Sequence, residues 1–127
     1  MSVMVTGGTG FIGNRIIRKL VEQGEEVVCF DVAPPRANLQ PLLDRFKVYR
    51  GDIMQMPHLL EAVNTHQVQR IIHMAAMLPP DTEERPHSAM QVNIQGTNNV
   101  FEVARWTGIK RVVYASSIAV FGVQETF

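Results

Sequence analysis

The chain has a single cysteine, Cys29, among 127 residues. An internal disulfide is therefore excluded, and a thiol inside the run Val27-Val28-Cys29-Phe30 reads as a small core residue. Charge of one sign is also missing: twelve Lys and Arg balance twelve Asp and Glu, and the isoelectric point is near 6.9. Such a chain lacks the basic footprint of a nucleic-acid or anionic-membrane binder. No apolar run approaches the roughly 20 residues of a membrane-spanning helix. The first residues lack the charged-then-apolar pattern of an export signal. Together with the lone thiol, this makes a reducing cytoplasm the expected location. His73 has no second His or Cys at ligand spacing, so no metal site is expected. Tyrosine is scarce too: Tyr49 and Tyr114 are the two present, and four residues after them stand Ile53 and Ile118.

Glycine, in contrast, is concentrated near the start. Residues 6–13 read Thr-Gly-Gly-Thr-Gly-Phe-Ile-Gly, directly after Val3-Met4-Val5. A strand that turns through glycines into a helix can bind a dinucleotide. Gly8-x-Gly10-x-x-Gly13 fits the dinucleotide fingerprint, and Gly7-x-x-Gly10-x-x-Gly13 overlaps it in a second register. The first glycine allows the tight turn, the middle one lets main chain approach a pyrophosphate, and the last lets helix pack close to strand. The helix start at Phe11 and Ile12 then offers free N–H groups and partial positive charge to the phosphates. Asp31 follows Gly13 by 18 residues and ends the second apolar run. An acidic residue there can accept hydrogen bonds from the adenosine ribose hydroxyls, and it would repel a 2′-phosphate. The expected cofactor is NAD rather than NADP. Arg36, which could meet a 2′-phosphate, is held along the loop by Pro34 and Pro35.

Strand and helix alternate regularly. Strands are predicted over 2–6, 27–31, 46–50, 70–74 and 112–115. A helix is predicted over 11–23, with Ile12, Ile16 and Leu20 at spacing four beside Ile17 and Val21. Loops are predicted over 32–41, which carries three prolines, and over 79–84. A helix begins near Pro57, and a long one runs over about 87–107 to Gly108, with Val92, Val100 and Val103 on one stripe. Gly96 inside that helix implies a packing reason, such as close approach to the sheet. The first, second and fifth strands are continuous apolar runs, as in parallel strands covered on both faces. Short right-handed crossovers then give one α/β domain over 1–127: a Rossmann-type doubly wound parallel sheet of order 3-2-1-4-5, ending after strand five.

Five ordered motifs resemble the extended short-chain dehydrogenases/reductases, the NAD-dependent epimerase/dehydratase family. Thr6 to Gly13 is similar to the family's opening. Gly51-Asp52-Ile53 resembles its adenine-contacting turn, which assigns Asp52 and Ile53 to the cofactor. Ile72-His73-Met74-Ala75-Ala76 is similar to its strand-four end, which places Met74, Ala75 and Ala76 along the nicotinamide side. Val92-Asn93-Ile94-Gln95-Gly96-Thr97 resembles its long-helix motif, whose asparagine, here Asn93, supports the active site. Tyr114 to Gly122 is similar to its strand-five motif, which makes Ser117 the catalytic hydroxyl and places Ser116 beside the cofactor.

The resemblance implies hydride transfer between a carbinol carbon and the nicotinamide, with a Tyr-x-x-x-Lys pair on the next helix doing the acid/base work. No such pair is present in these 127 residues, and Phe127 falls in the loop before the expected tyrosine helix. The expected function is therefore the N-terminal cofactor-binding part of an epimerase, dehydratase or dehydrogenase, without turnover of its own. Two other readings stay open. One is a non-catalytic nucleotide-binding or protein-interaction module, and the other is an enzyme that borrows its acid/base residues from a second chain. An uncovered fifth strand, or the exposed face of the 87–107 helix, is expected to drive self-association.

Overall fold

β1 (Ser2–Thr6) is buried along its whole length and pairs in parallel on both sides, with β2 (Glu26–Asp31) and with β4 (Val68–His73). That position explains its unbroken apolar run: a strand with neighbours on both edges and helices on both faces meets no water. The computed structural model describes residues 2–122. Residues 123–127, read above as loop, lie outside the described residues. β3 (Lys47–Arg50) pairs with β2, and β5 (Arg111–Tyr114) pairs with β4. The order is β3-β2-β1-β4-β5, all parallel, as the sequence predicts.

Two apolar layers flank the sheet. Met4, Val28, Phe30 and Ile71 face α2 (Met56–Thr65) and α5 (Thr97–Thr107), against Leu59, Val63, Val100 and Val103. The alternate residues Val5, Val27 and Cys29 face α1 (Phe11–Glu22), against Ile17 and Val21. Each such fully buried side chain contributes about 1.5–3 kcal/mol of transfer free energy. Cys29 is among them, and burial pushes its thiol up to about 12.

Several elements depart from expectation. Ile12 is 55% exposed rather than in the α1 core stripe; the buried stripe runs through Gly13, Ile17 and Val21, because the glycine loop sets the helix down on that side. The proline-rich connection folds into a 3₁₀ stretch over Ala37–Arg45 that buries Leu39 under α1. The predicted loop over 79–84 contains a helical turn, α3 (Asp81–Glu84), whose three acidic residues suit a helix start. The predicted long helix is α4 (Pro86–Met90), a π-helical stretch over Gln91–Gly96, and α5. Gly96 does approach something closely, but it is Ile53 after β3 and not the sheet: a Cβ there would stand 2.6 Å from Ile53 Cδ1. β5 is not covered on both faces, since Val113 and Tyr114 are about half exposed. Among the described residues β4 is its one partner strand.

β2 lies on one side of β1 and β4 on the other, so the connections leaving β1 and β4 diverge at their C-terminal ends. Open α/β sheets bind ligands at such a switch point. No helix among the described residues is long and apolar enough to cross a membrane.

Candidate functional site

A cleft of about 950 Å³ opens at the C-terminal ends of the strands. It gathers every residue assigned above to the cofactor or to catalysis. Gly7, Gly10, Phe11, Ile12 and Gly13 come from the first loop, Asp31 from β2, and Asp52 and Ile53 from the turn after β3. Met74, Ala75 and Ala76 follow β4, Asn93 comes from the π-helical stretch, and Ser116 and Ser117 follow β5. Arg36 is exposed and outside this lining. Asp31 and Asp52 are the charged residues of the lining, and no Lys or Arg joins them among the described residues.

The glycines build the front wall. Gly7 has φ +67°, and a Cβ there would stand 2.6 Å from the Ala75 nitrogen. At Gly13 a Cβ would stand 2.1 Å from the Gly7 oxygen, so α1 rests directly on the loop that begins it. Gly10 caps α1 without a side chain, and the first in-helix acceptor bond is Asn14 N–H to Gly10 O. The amides of Phe11, Ile12 and Gly13 therefore have no partner within the helix. Donors of that kind at a helix start suit a diphosphate. The Asn14 amide group braces this wall by donating to Gly10 O and accepting from Asn38 Nδ2.

Asp31 is already engaged. Its Oδ2 accepts from the Thr9 N–H at 3.0 Å and the Thr9 hydroxyl at 2.8 Å, and its Oδ1 accepts from the Ala33 N–H at 3.1 Å. Asp52 closes its own turn by accepting from the Met54 N–H, while its N–H donates to His58 Nδ1. That turn is held to α5 by Asn99, whose amide donates to the carbonyls of Ile53 and Met54.

The floor is a polar chain through the core. Thr6 Oγ1 accepts from the N–H groups of Met74 and Ala75, so its own proton goes to His73 Nδ1, 2.6 Å away. His73 then carries its hydrogen on Nε2 and donates it to Thr97 Oγ1 at 2.9 Å. Burial pushes His73 down to about 4, so the ring is neutral. It stacks on Tyr114 at 5.6 Å.

Asn93 turns toward the connection after β4. It accepts from the Met77 N–H at 2.8 Å and donates to the Met77 carbonyl at 3.0 Å. Ser117 accepts from the Ala119 N–H, which leaves its hydroxyl proton free to donate. Sequence reasoning passed over Thr6, Thr9, Thr97 and Asn99. The partners that tie them into the site lie 22 to 69 residues away, and sequence spacing does not reveal such pairings.

The model of the NAD dependent epimerase/dehydratase family matches residues 3–127. The chain belongs to this family. A UDP-glucose 4-epimerase of Klebsiella pneumoniae is 28% identical, over 98% of this chain and 94% of its own sequence. A D-erythronate dehydrogenase of Haemophilus influenzae is 31% identical over 96% of this chain. A Thermus thermophilus UDP-glucose 4-epimerase, solved in complex with NAD, superposes with TM-score 0.82 at 30% identity over 92% of this chain. The chain spans 39% of the Haemophilus relative and 38% of the Thermus one. It corresponds to the N-terminal portion of a protein of this family. Among the described residues, no group of three His, Cys, Asp or Glu is placed to hold a metal.

Proposed function

We propose that the chain binds NAD in this cleft, as the cofactor-binding domain of an epimerase, dehydratase or dehydrogenase acting on a nucleotide-sugar-like or similarly hydroxylated substrate. The observation that carries this reading is the convergence of six separate segments, from Gly7 to Ser117, on one cleft. The amides of Phe11 to Gly13 would receive the pyrophosphate and Asp31 the adenosine ribose. Asp52 and Ile53 would flank the adenine, and Met74, Ala75, Ala76 and Ser116 the nicotinamide. When bound, NAD supplies the hydride acceptor for a substrate C–H bond. A neighbour solved with NAD, and relatives named as an epimerase and as a dehydrogenase, support the assignment.

Ser117 is the hydroxyl that would donate to a substrate oxygen, and Asn93 supports the site by fixing Met77. A hydroxyl of ordinary acidity does not exchange protons with substrate fast enough at neutral pH to serve as acid and base. With no Tyr-x-x-x-Lys pair in the sequence, the 127-residue chain turns nothing over alone. The same observation favours a second reading, a nucleotide-binding module that senses cofactor or docks on a partner. Calorimetric titration with NAD and NADP tests the binding, and NAD reduction assays on the purified chain test the silence. Tighter binding of NADP contradicts the role given to Asp31, and measurable turnover contradicts the claim of inactivity.

The chain also self-associates in this account. Among the described residues β5 ends the sheet, and Val113, Tyr114 and Phe101 present a half-exposed apolar surface beside the edge that no described strand pairs. Unpaired strand edges of this kind recruit other strands.

A further inference from the structure

We propose that Thr9 is a positioning residue that sets the choice between NAD and NADP by shaping the Asp31 carboxylate into an acceptor for a vicinal diol. The inference rests on the reading of the cleft as a dinucleotide site. Thr9 is 4% exposed and spends both of its donors, N–H and O–H, on Asp31 Oδ2. The Ala33 N–H takes one position on Oδ1. A carboxylate oxygen has two lone-pair sites, so Oδ2 is filled and Oδ1 keeps one place.

The Thr9 hydroxyl has given away its proton but retains its lone pairs. Oδ1 of Asp31 and Oγ1 of Thr9 are thus the acceptors left in this pair, and Oγ1 is held to the carboxylate by its 2.8 Å bond to Oδ2. Two acceptors on one cleft-lining pair match in number the two hydroxyls of an unmodified ribose, each bringing a proton. A 2′-phosphate brings acceptor oxygens and negative charge, and this pair offers it no donor. Arg36 lies outside the cleft lining and does not supply one. Without the Thr9 hydroxyl the carboxylate loses one acceptor neighbour and one of the bonds that hold its plane.

The test is titration of the full chain and its Thr9→Ser, Thr9→Val and Thr9→Ala variants with NAD and NADP, with thermal unfolding as the folding check. Thr9→Ser keeps the hydroxyl and is expected to match the wild type. Thr9→Val and Thr9→Ala remove the hydroxyl at two different volumes, so a folding defect in one leaves the other as the test. Each is expected to weaken NAD about fivefold while NADP changes by less than about twofold, which narrows the preference. An unchanged ratio, including equal loss of both dinucleotides from a loosened loop, overturns the role of Thr9. Failure of the wild-type chain to bind either dinucleotide overturns instead the reading of the cleft on which this inference stands.

Discussion

The hydroxyl of Thr6 and Nδ1 of His73, 67 residues apart in the chain, meet at 2.6 Å inside the core. This bond joins the C-terminal ends of β1 and β4, where the glycine loop and the Met74–Ala76 segment begin. Because Thr6 also accepts from the Ala75 N–H, the turn that forms one wall of the cleft hangs from the strand that starts the other.

The neutral His73 ring makes stability depend on pH. Its folded-state pKa, near 4, lies below the ordinary value of 6.5. As the pH falls the unfolded chain takes up the proton first. The contribution of His73 is therefore complete above about pH 6.5 and is lost toward pH 4, at up to about 1.4 kcal/mol per unit. Urea midpoints measured across this range check it. Replacing His73→Gln should flatten the slope between about pH 6.5 and 4, relative to wild type.

Gly10 and Gly13 separate folding from binding. Gly13→Ala places a Cβ 2.1 Å from the Gly7 oxygen, a clash with main chain. It should cost about 2–4 kcal/mol, read as a lower denaturation midpoint. Gly10→Ala meets one neighbour, the Gly7 oxygen at 3.2 Å. That variant should stay within about 1 kcal/mol of wild type yet bind NAD more weakly, because the methyl sits at the mouth of the phosphate wall.

Asn93 should act through Met77. Asn93→Ala leaves the Met77 N–H and carbonyl without their partner, at a cost of about 1–3 kcal/mol. Hydrogen exchange at the Met77 amide is the direct readout: it should accelerate in the variant, while amides of β1 keep their protection.

Self-association should be concentration dependent and centred on β5. Sedimentation velocity is expected to show a mass increase with concentration, and Val113→Lys to reverse it by placing a charge on the half-exposed strand. A monomer at all concentrations contradicts this.

The sheet order was readable because apolar runs such as Val3-Met4-Val5, glycine stops and short connections leave few right-handed topologies. The glycine loop and Asp31 could be picked out from spacing alone, while Asp52, Ile53, Met74 to Ala76, Asn93, Ser116 and Ser117 were picked out through the family resemblance; all of them line the same crevice. What stayed hidden depends on distant pairing. Nothing around Thr9 distinguishes it from a spacer in the glycine loop, yet its partner Asp31 fixes its role. Ile12 misled for a similar reason, since periodicity counts apolar residues but does not say on which side a glycine loop sets the helix down. Gly96 signalled a close contact, but its partner Ile53 lies 43 positions earlier.

The most direct test follows backbone amide NMR signals of the chain as NAD is added. The account predicts shifts concentrated at Thr9 to Gly13, Asp31 and Met74 to Ala76, with the opposite end of the sheet, around Glu26 and Gln67, undisturbed. Shifts at that far end, or no saturable shift in the glycine loop, would contradict it.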